Sequence, residues 1–356
     1  MGFQSAFNLT SGDYNVSIGH HSMGLGTVTG DHNVAVGHGS GYDLTSGEGN
    51  VFVGRSSGAN VTSGIGNVLL GDQAGSSLVS GHNNVIIGRE AGQNATTTIQ
   101  KNVIIGYGAG KGVLTTAADG LVAVGAAAGD AVTSAQRMTA VGFGALGAED
   151  AGGYQTAVGY EALGQVNNDN GHNVALGQRA GYTLTGGYSN TLIGSSANAS
   201  SVNGVNQTVI GMGATGVANN SVTLGGSSVT AIYAAQDSGA TIYAAGLVEG
   251  SSMTLKENIA EIESPLDKLT KLRGVEFDYK STKERSIGMI AEEVNEVFPE
   301  LVNKNEDGEV TAMSYSRMTA VLLEAVKELS QEVKDSREEI RELKKLNNYS
   351  KAGDKN

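Results

Sequence analysis

Catalysis near neutral pH needs a nucleophile beside a base, a pair of carboxylates or a metal ligand set, and most of this chain offers none of these. Its 356 residues include no cysteine, which excludes a disulfide framework and a thiolate metal site. All six histidines, His20, His21, His32, His38, His82 and His172, lie in the first 172 residues and read as polar turn residues. Copies of the chain meeting around an axis could turn each into a ring able to hold an ion. The sequence itself names no metal ligand and no cofactor. Gly142-Phe143-Gly144-Ala145-Leu146-Gly147 and Gly211-Met212-Gly213-Ala214-Thr215-Gly216 fit a dinucleotide fingerprint, but neither opens a helix inside a βαβ unit. Gly106 to Gly112 lacks the spacing and the Ser/Thr of a phosphate loop. A serine nucleophile beyond residue 172 would have to take lysine as its base, since no histidine follows.

The elements that must position any such residue fall into two modules. Residues 1–250 hold 49 of the 53 glycines, 6 Lys+Arg and 14 Asp+Glu; residues 251–356 hold 4 glycines, both prolines, 17 Lys+Arg and 22 Asp+Glu. One packed domain does not change composition so abruptly. The net charge of −13 argues against a nucleic-acid partner, which wants a basic stripe. No apolar run approaches the roughly 20 residues of a membrane span. Met1 leads straight into Gly2, Phe3 and Gln4 without a signal-peptide pattern, so synthesis in a cytoplasm without secretion is expected.

A unit Asn-Val-x-(Ile/Val/Leu)-Gly recurs through the first module, as in Asn15-Val16-Ser17-Ile18-Gly19 and Asn33-Val34-Ala35-Val36-Gly37. Its closing glycine returns at Gly19, Gly37, Gly54, Gly71, Gly88, Gly106, Gly125, Gly142, Gly159, Gly177, Gly194, Gly211 and Gly225, at intervals of 17 to 19 residues before a last one of 14. Such regularity predicts a mostly β, quasi-one-dimensional array. Each unit gives a short strand with apolar residues two apart, such as Val85 and Ile87, and a glycine where the chain needs positive φ or close backbone approach. The strand-opening asparagines would form a ladder across stacked copies. So short a strand cannot bury its own apolar face. Stacked rungs can, and so can three chains about a common axis. Thirteen singly stacked units would span on the order of 60 Å, and interleaved chains would change that rise. The pattern resembles repeats of phage fibres and of trimeric autotransporter heads, most closely at Asn220-Ser221-Val222-Thr223-Leu224-Gly225. That resemblance implies a trimeric, extended shaft over residues 1–226.

The second module reads as α/β. Ser264 and Pro265 suit the start of a helix running to Lys271, and Val275–Tyr279 alternates like a strand. Residues 288–297 read as an amphipathic helix stopped before Pro299, and Asp307-Gly308 as a turn between short strands. From about residue 317 a coiled-coil helix is expected, with heptad positions Leu322, Val326, Leu329, Val333, Ser336, Ile340 and Leu343.

Ser251-Ser252-Met253-Thr254-Leu255-Lys256-Glu257-Asn258-Ile259 resembles the opening of the intramolecular chaperone domain of phage endosialidases and tail fibres. Gly288-Met289-Ile290-Ala291-Glu292-Glu293-Val294 with Val297-Phe298-Pro299-Glu300-Leu301-Val302 resembles its second block, and Ser314-Tyr315 with the helix through Leu322 and Leu329 its third. The resemblance implies a self-cleaving Ser/Lys dyad, Ser251 as nucleophile and Lys256 as general base, with cleavage adjoining the serine, between Ser251 and Ser252. The family usually has Asp after the nucleophile; Ser252 stands there and is a second nucleophile candidate. A free lysine titrates near 10.4, so a lysine base must be desolvated or set near other cations. Assembly would provide that environment, which predicts cleavage only after trimerisation.

The expected protein is a homotrimeric phage tail fibre or spike: a virion part made in the host cytoplasm, with a single-turnover serine peptidase at its end. Expected partners are further copies of itself, other tail proteins and a bacterial receptor of glycan or outer-membrane type, with no nucleic acid and no membrane insertion. Residues 227–250 would form a linker and distal tip, with Tyr233, Gln236, Asp237 and Tyr243 facing the receptor. Two rivals are a tailspike depolymerase acting on surface polysaccharide and a cellular trimeric adhesin. The first wants paired carboxylates, whereas the acids of the first module lie singly apart from Glu149-Asp150. The second wants a signal and an anchor.

Overall fold

The computed structural model describes residues 1–95, 98–115, 119–134, 136–149, 152–232, 244, 250–280, 283–305 and 307–353. It divides into two compact units, Met1–Ile242 and Tyr243–Asn356.

The first unit is a β-solenoid. Thirteen short strands, β1 (Val16–Ile18) to β13 (Ser221–Leu224), form one parallel sheet in chain order. Register follows the repeat: in β5 (Val85–Ile87) and β6 (Val103–Ile105), Val85 pairs with Val103, Ile86 with Ile104 and Ile87 with Ile105. Each strand pairs with the next strand of the same chain, so the rungs stack singly and the interleaved alternative is not what forms.

The direction of the apolar side chains differs from the expectation. Alternate residues of a strand point to opposite sides, and here the middle residue points inward. Phe52, Leu69, Ile86 and Ile104 are fully buried, together with turn residues Leu44, Val61, Leu78 and Ala91. The pair two apart, Val85 and Ile87, faces out and is half-buried. The turn after each glycine folds over the inner side of the strand, so a single chain closes its own core without a partner.

Two columns make this winding possible. Gly71 has φ +136°, and a Cβ on it would stand 2.5 Å from the carbonyl oxygen of Gly88 on the next rung. Only glycine fits so close a stack of backbones. Beside it runs the asparagine ladder. Asn50 Nδ2 donates to Asn33 Oδ1 at 3.0 Å, Asn67 to Asn50 at 3.0 Å and Asn84 to Asn67 at 2.9 Å. The same oxygens accept the backbone N–H of the following asparagine, and Asn67 Nδ2 also donates to Gly81 O at 2.7 Å. Buried amides are thereby paired on every side, which their burial demands. Leu121 and Met138 interrupt the column, and Gln155, Asn173, Asn190 and Gln207 resume it.

A third column adjusts volume. The position six residues after the strand centre is glycine beside large centres such as Leu69 (Gly75) and Ile86 (Gly92), and also after Ala35, Ala123 and Ala175, whereas Asn198 follows Leu192. After the small centres Ala140 and Ala157 it is Leu146 and Leu163, both fully buried at φ +52° and +50°. At these two rungs close packing of the interior explains the larger turn residue.

In the second unit, α1 (Pro265–Leu269), α2 (Ala291–Val297) and α3 (Tyr315–Gly353) pack around Val294, Phe298, Leu301, Met318 and Val321. Two antiparallel pairs accompany them: β14 (Val275–Asp278) with β15 (Arg285–Gly288), and β16 (Val302–Lys304) with β17 (Val310–Met313). The Asp307-Gly308 turn joins the second pair, with Gly308 at φ +82°. Ser264 precedes α1 but makes no capping bond; Glu328 Oε2 of α3 accepts the Leu266 N–H at 3.0 Å instead. The helix expected over 288–297 begins only at Ala291, because Gly288 ends β15 against the ring of Tyr315, whose hydroxyl accepts Met289 N–H at 2.9 Å. Met318, Val321 and Ala325 face the domain core, whereas Leu322, Val326, Leu329, Val333, Ile340 and Leu343 are exposed along α3. No helix among the described residues is long and apolar enough to cross a membrane.

Candidate functional site

The site lies on a tight turn at the start of the chaperone-like segment. Residues Met253–Leu255 form one turn of 3₁₀ helix, closed by Leu255 N–H to Ser252 O at 3.0 Å and Lys256 N–H to Met253 O at 3.1 Å. Ser252 precedes it in extended conformation, and its Oγ accepts the Thr254 N–H at 3.3 Å and lies 2.9 Å from Thr254 Oγ1. This N-cap satisfies a donor that the first turn leaves free. The turn reverses the chain over five residues and brings Lys256 Nζ to 2.8 Å from Ser251 Oγ. A hydroxyl and an amine in hydrogen-bond contact are the geometry a serine nucleophile needs from its base. Both side chains are exposed in the single chain.

The structure therefore brings together the two residues named from sequence. Sequence reasoning missed the capping of the turn by Ser252, although a serine hydroxyl bonding the backbone two residues on is a known turn device. The four residues expected at the tip, Tyr233, Gln236, Asp237 and Tyr243, lie outside the described residues.

Elsewhere the chemistry-bearing residues are absorbed by the fold. Glu149 is buried, accepting Gly152 N–H at 2.7 Å and bonding Gln155 Nε2, so it faces no groove. The two dinucleotide-like glycine runs sit at strand ends and turns of the solenoid, with no helix after them. Among the described residues no group of three His, Asp or Glu is gathered as a metal ligand set. The histidines stack instead: His20 lies 5.3 Å from Phe3 and 5.0 Å from His38, and Tyr154 lies 5.0 Å from His172, ring centre to ring centre. Desolvation by the neighbouring rings, then the charges of His21 and His38, hold the His20 imidazole below the usual histidine range.

Residues 251–303 match the family described as chaperone of endosialidase, and Ser251 is the first residue of the match. The chain thus carries a chaperone-of-endosialidase domain behind a β-solenoid shaft. Its relatives include long tail fiber protein Gp37 of Salmonella phage S16, 29% identical over 152 residues that cover 36% of this chain and 20% of the relative. The Gp37 proteins of Enterobacteria phages K3 and T2 are each 37% identical over 93 residues, 24% of this chain and 8% and 7% of those proteins. The chain therefore spans a fifth or less of the length of these relatives. No solved structure matches it.

Proposed function

We propose that this protein is a phage tail fibre that attaches the virion to a bacterial surface, and that its C-terminal domain assembles three copies and then cuts itself away. The Ser251–Lys256 contact of 2.8 Å, at the first residues of the chaperone segment, carries this reading.

In the neutral state Lys256 Nζ takes the Ser251 hydroxyl proton while Oγ attacks a peptide carbonyl. Attack on Gly250 C=O passes through a five-membered ring. Attack on the carbonyl of Ser251 by its own hydroxyl would need a four-membered one, so the Ser251–Ser252 bond is open to the serine of another copy or, through a five-membered ring of its own, to Ser252. With Ser251 of the same chain as nucleophile, the bond that breaks is Gly250–Ser251. Its nitrogen takes the proton back from Lys256, leaving an ester between Gly250 and Ser251 Oγ. Water then hydrolyses the ester to a Gly250 carboxylate and a free Ser251 hydroxyl. A lysine in water is an ammonium near pH 7, with no lone pair to accept the hydroxyl proton. Burial of the turn on assembly favours the neutral amine and so times the cut.

The exposed seam of α3 supports the association step, because an apolar heptad stripe on one helix is covered when identical helices pair. Trimerising the end of each chain raises the local concentration of the rest. Cleavage afterwards makes the product kinetically trapped. The receptor is proposed to be a glycan or outer-membrane component, and the protein a virion part with other tail proteins as neighbours.

A denaturing gel beside native mass measurement, for wild type and Ser251→Ala, tests the proposal. Wild type should yield a cleaved shaft, a released fragment beginning at Ser251 and a trimeric mass; Ser251→Ala should stay whole and trimeric. Undiminished cleavage of Ser251→Ala overturns the assignment.

A further inference from the structure

We infer that the outward face of the thirteen-strand sheet is the surface on which two further copies of this chain pack. The inference rests on the trimeric reading above and adds the place where the copies meet.

Each strand turns two residues outward, giving twenty-six positions along the solenoid. Apart from Thr139, Thr156, Thr191 and Thr208, every one is Val, Ile or Leu, and none is charged. The few charges of this module lie on the turns: Arg55 pairs with Asp72 at 2.9 Å, and Lys111 with Glu90 at 2.6 Å. A solvated sheet face ordinarily alternates apolar-in with polar-out, and parallel sheets are ordinarily covered on both faces. Here the turns of the chain cover the inner face alone. Leu70, Leu176 and Ile210 are 41%, 49% and 40% exposed.

Thirteen strands at ~4.8 Å, each about 10 Å long, make a stripe on the order of 600 Å². That is at the upper end of the largest apolar patch a typical monomer exposes, ~300–600 Å². Three such stripes gathered about one axis would cover about 1,800 Å² in all, the scale of a stable interface.

The spacing and the absence of charge identify the occupant. A face that repeats at every rung is matched side chain for side chain by another face of the same repeat, which is this chain again. No charged group on the stripe opposes a like copy. The heptad seam of α3 is a second surface, in the other unit, that asks for identical neighbours.

The chain has no cysteine, so Ile87→Cys and Arg55→Cys variants of the full chain can each be labelled with pyrene maleimide. Excimer emission reports labels meeting across copies, and native mass reports the number of copies in the same sample. The expected result is a trimer with strong excimer emission from Ile87→Cys and little from Arg55→Cys. If the label at residue 87 breaks the trimer while the one at residue 55 does not, the face is also supported. Unlabelled Val85→Lys should lose trimer yield while the circular dichroism of the solenoid persists. A trimer without excimer emission at residue 87 and with Val85→Lys unaffected overturns the assigned face and leaves the trimer standing. A monomeric wild type overturns the trimeric reading itself.

Discussion

Lys256 Nζ stands 2.8 Å from Ser251 Oγ, and the turn between them is held by the hydroxyl of Ser252 on the Thr254 N–H. The distance gives Lys256 a role that its charge alone would not. Lys256→Ala should slow self-cleavage by about 10²–10⁴-fold, the usual worth of a placed general base. Lys256→Arg should fail as well, because guanidinium does not surrender its proton near neutral pH. Band intensities over time on a denaturing gel give the rates. Cleavage at an undiminished rate in Lys256→Ala would show that another group is the base.

Ser252 occupies the position where the family usually has Asp, and both residues make good N-caps. Ser252→Asp should therefore cleave at least as fast as wild type, and Ser252→Ala several-fold slower with its dependence on pH unchanged. A loss of cleavage in Ser252→Ala as deep as in Ser251→Ala would make Ser252 a reacting group.

Removing one amide from the ladder should hurt more than its size suggests. Asn67→Ala leaves Asn84 N–H and Gly81 O without their partner and one hydrogen of Asn84 Nδ2 unpaired, its other staying on Ile99 O. Each buried orphan costs about 1–3 kcal/mol, so a loss of about 3 kcal/mol or more is expected in the shaft. Thermal melting followed by circular dichroism would show it. A melting curve equal to wild type would mean that water replaces the missing amide.

The exchange of bulk between strand centre and turn makes a compensating pair. Leu146→Gly opens a cavity and should destabilise by about 2–5 kcal/mol. Adding Ala140→Leu rebuilds the arrangement already present at Leu69 and Gly75, and should recover most of the loss. Two losses that simply add would refute the coupling.

Acid should weaken the shaft near its first rungs. The folded His20 imidazole binds its proton less readily than a free histidine at 6.5, so the unfolded chain takes up protons first as pH falls. The stabilisation is complete above about pH 6.5 and is lost on acidification below it. The melting temperature should drop between pH 7.5 and 5.5, less so in His20→Gln. An identical drop in both would place the effect elsewhere.

Much of this molecule was legible in its residues. The returning glycines and asparagines gave the rungs, their register and the amide ladder, because only those residue types meet the backbone clearance and pairing that stacked rungs impose. Which strand residues face inward was not legible. Val85-Ile86-Ile87 is apolar at all three positions, so its pattern points to neither face, and the fold of the turn decides. The late start of α2 escaped notice because Gly288 is fixed by Tyr315, 27 residues further along. Ser251 and Lys256 are ordinary residue types. A family likeness singled them out, and the 3₁₀ turn between them supplied the geometry.

Because each rung touches only the rung before and the rung after, adding or deleting one unit of about 17 residues leaves every remaining neighbour relationship unchanged. The reach of such a shaft is therefore quantised, in steps of roughly 5 Å per duplicated unit. In-frame recombination between near-identical repeats would lengthen or shorten it, leaving the machinery at its end untouched.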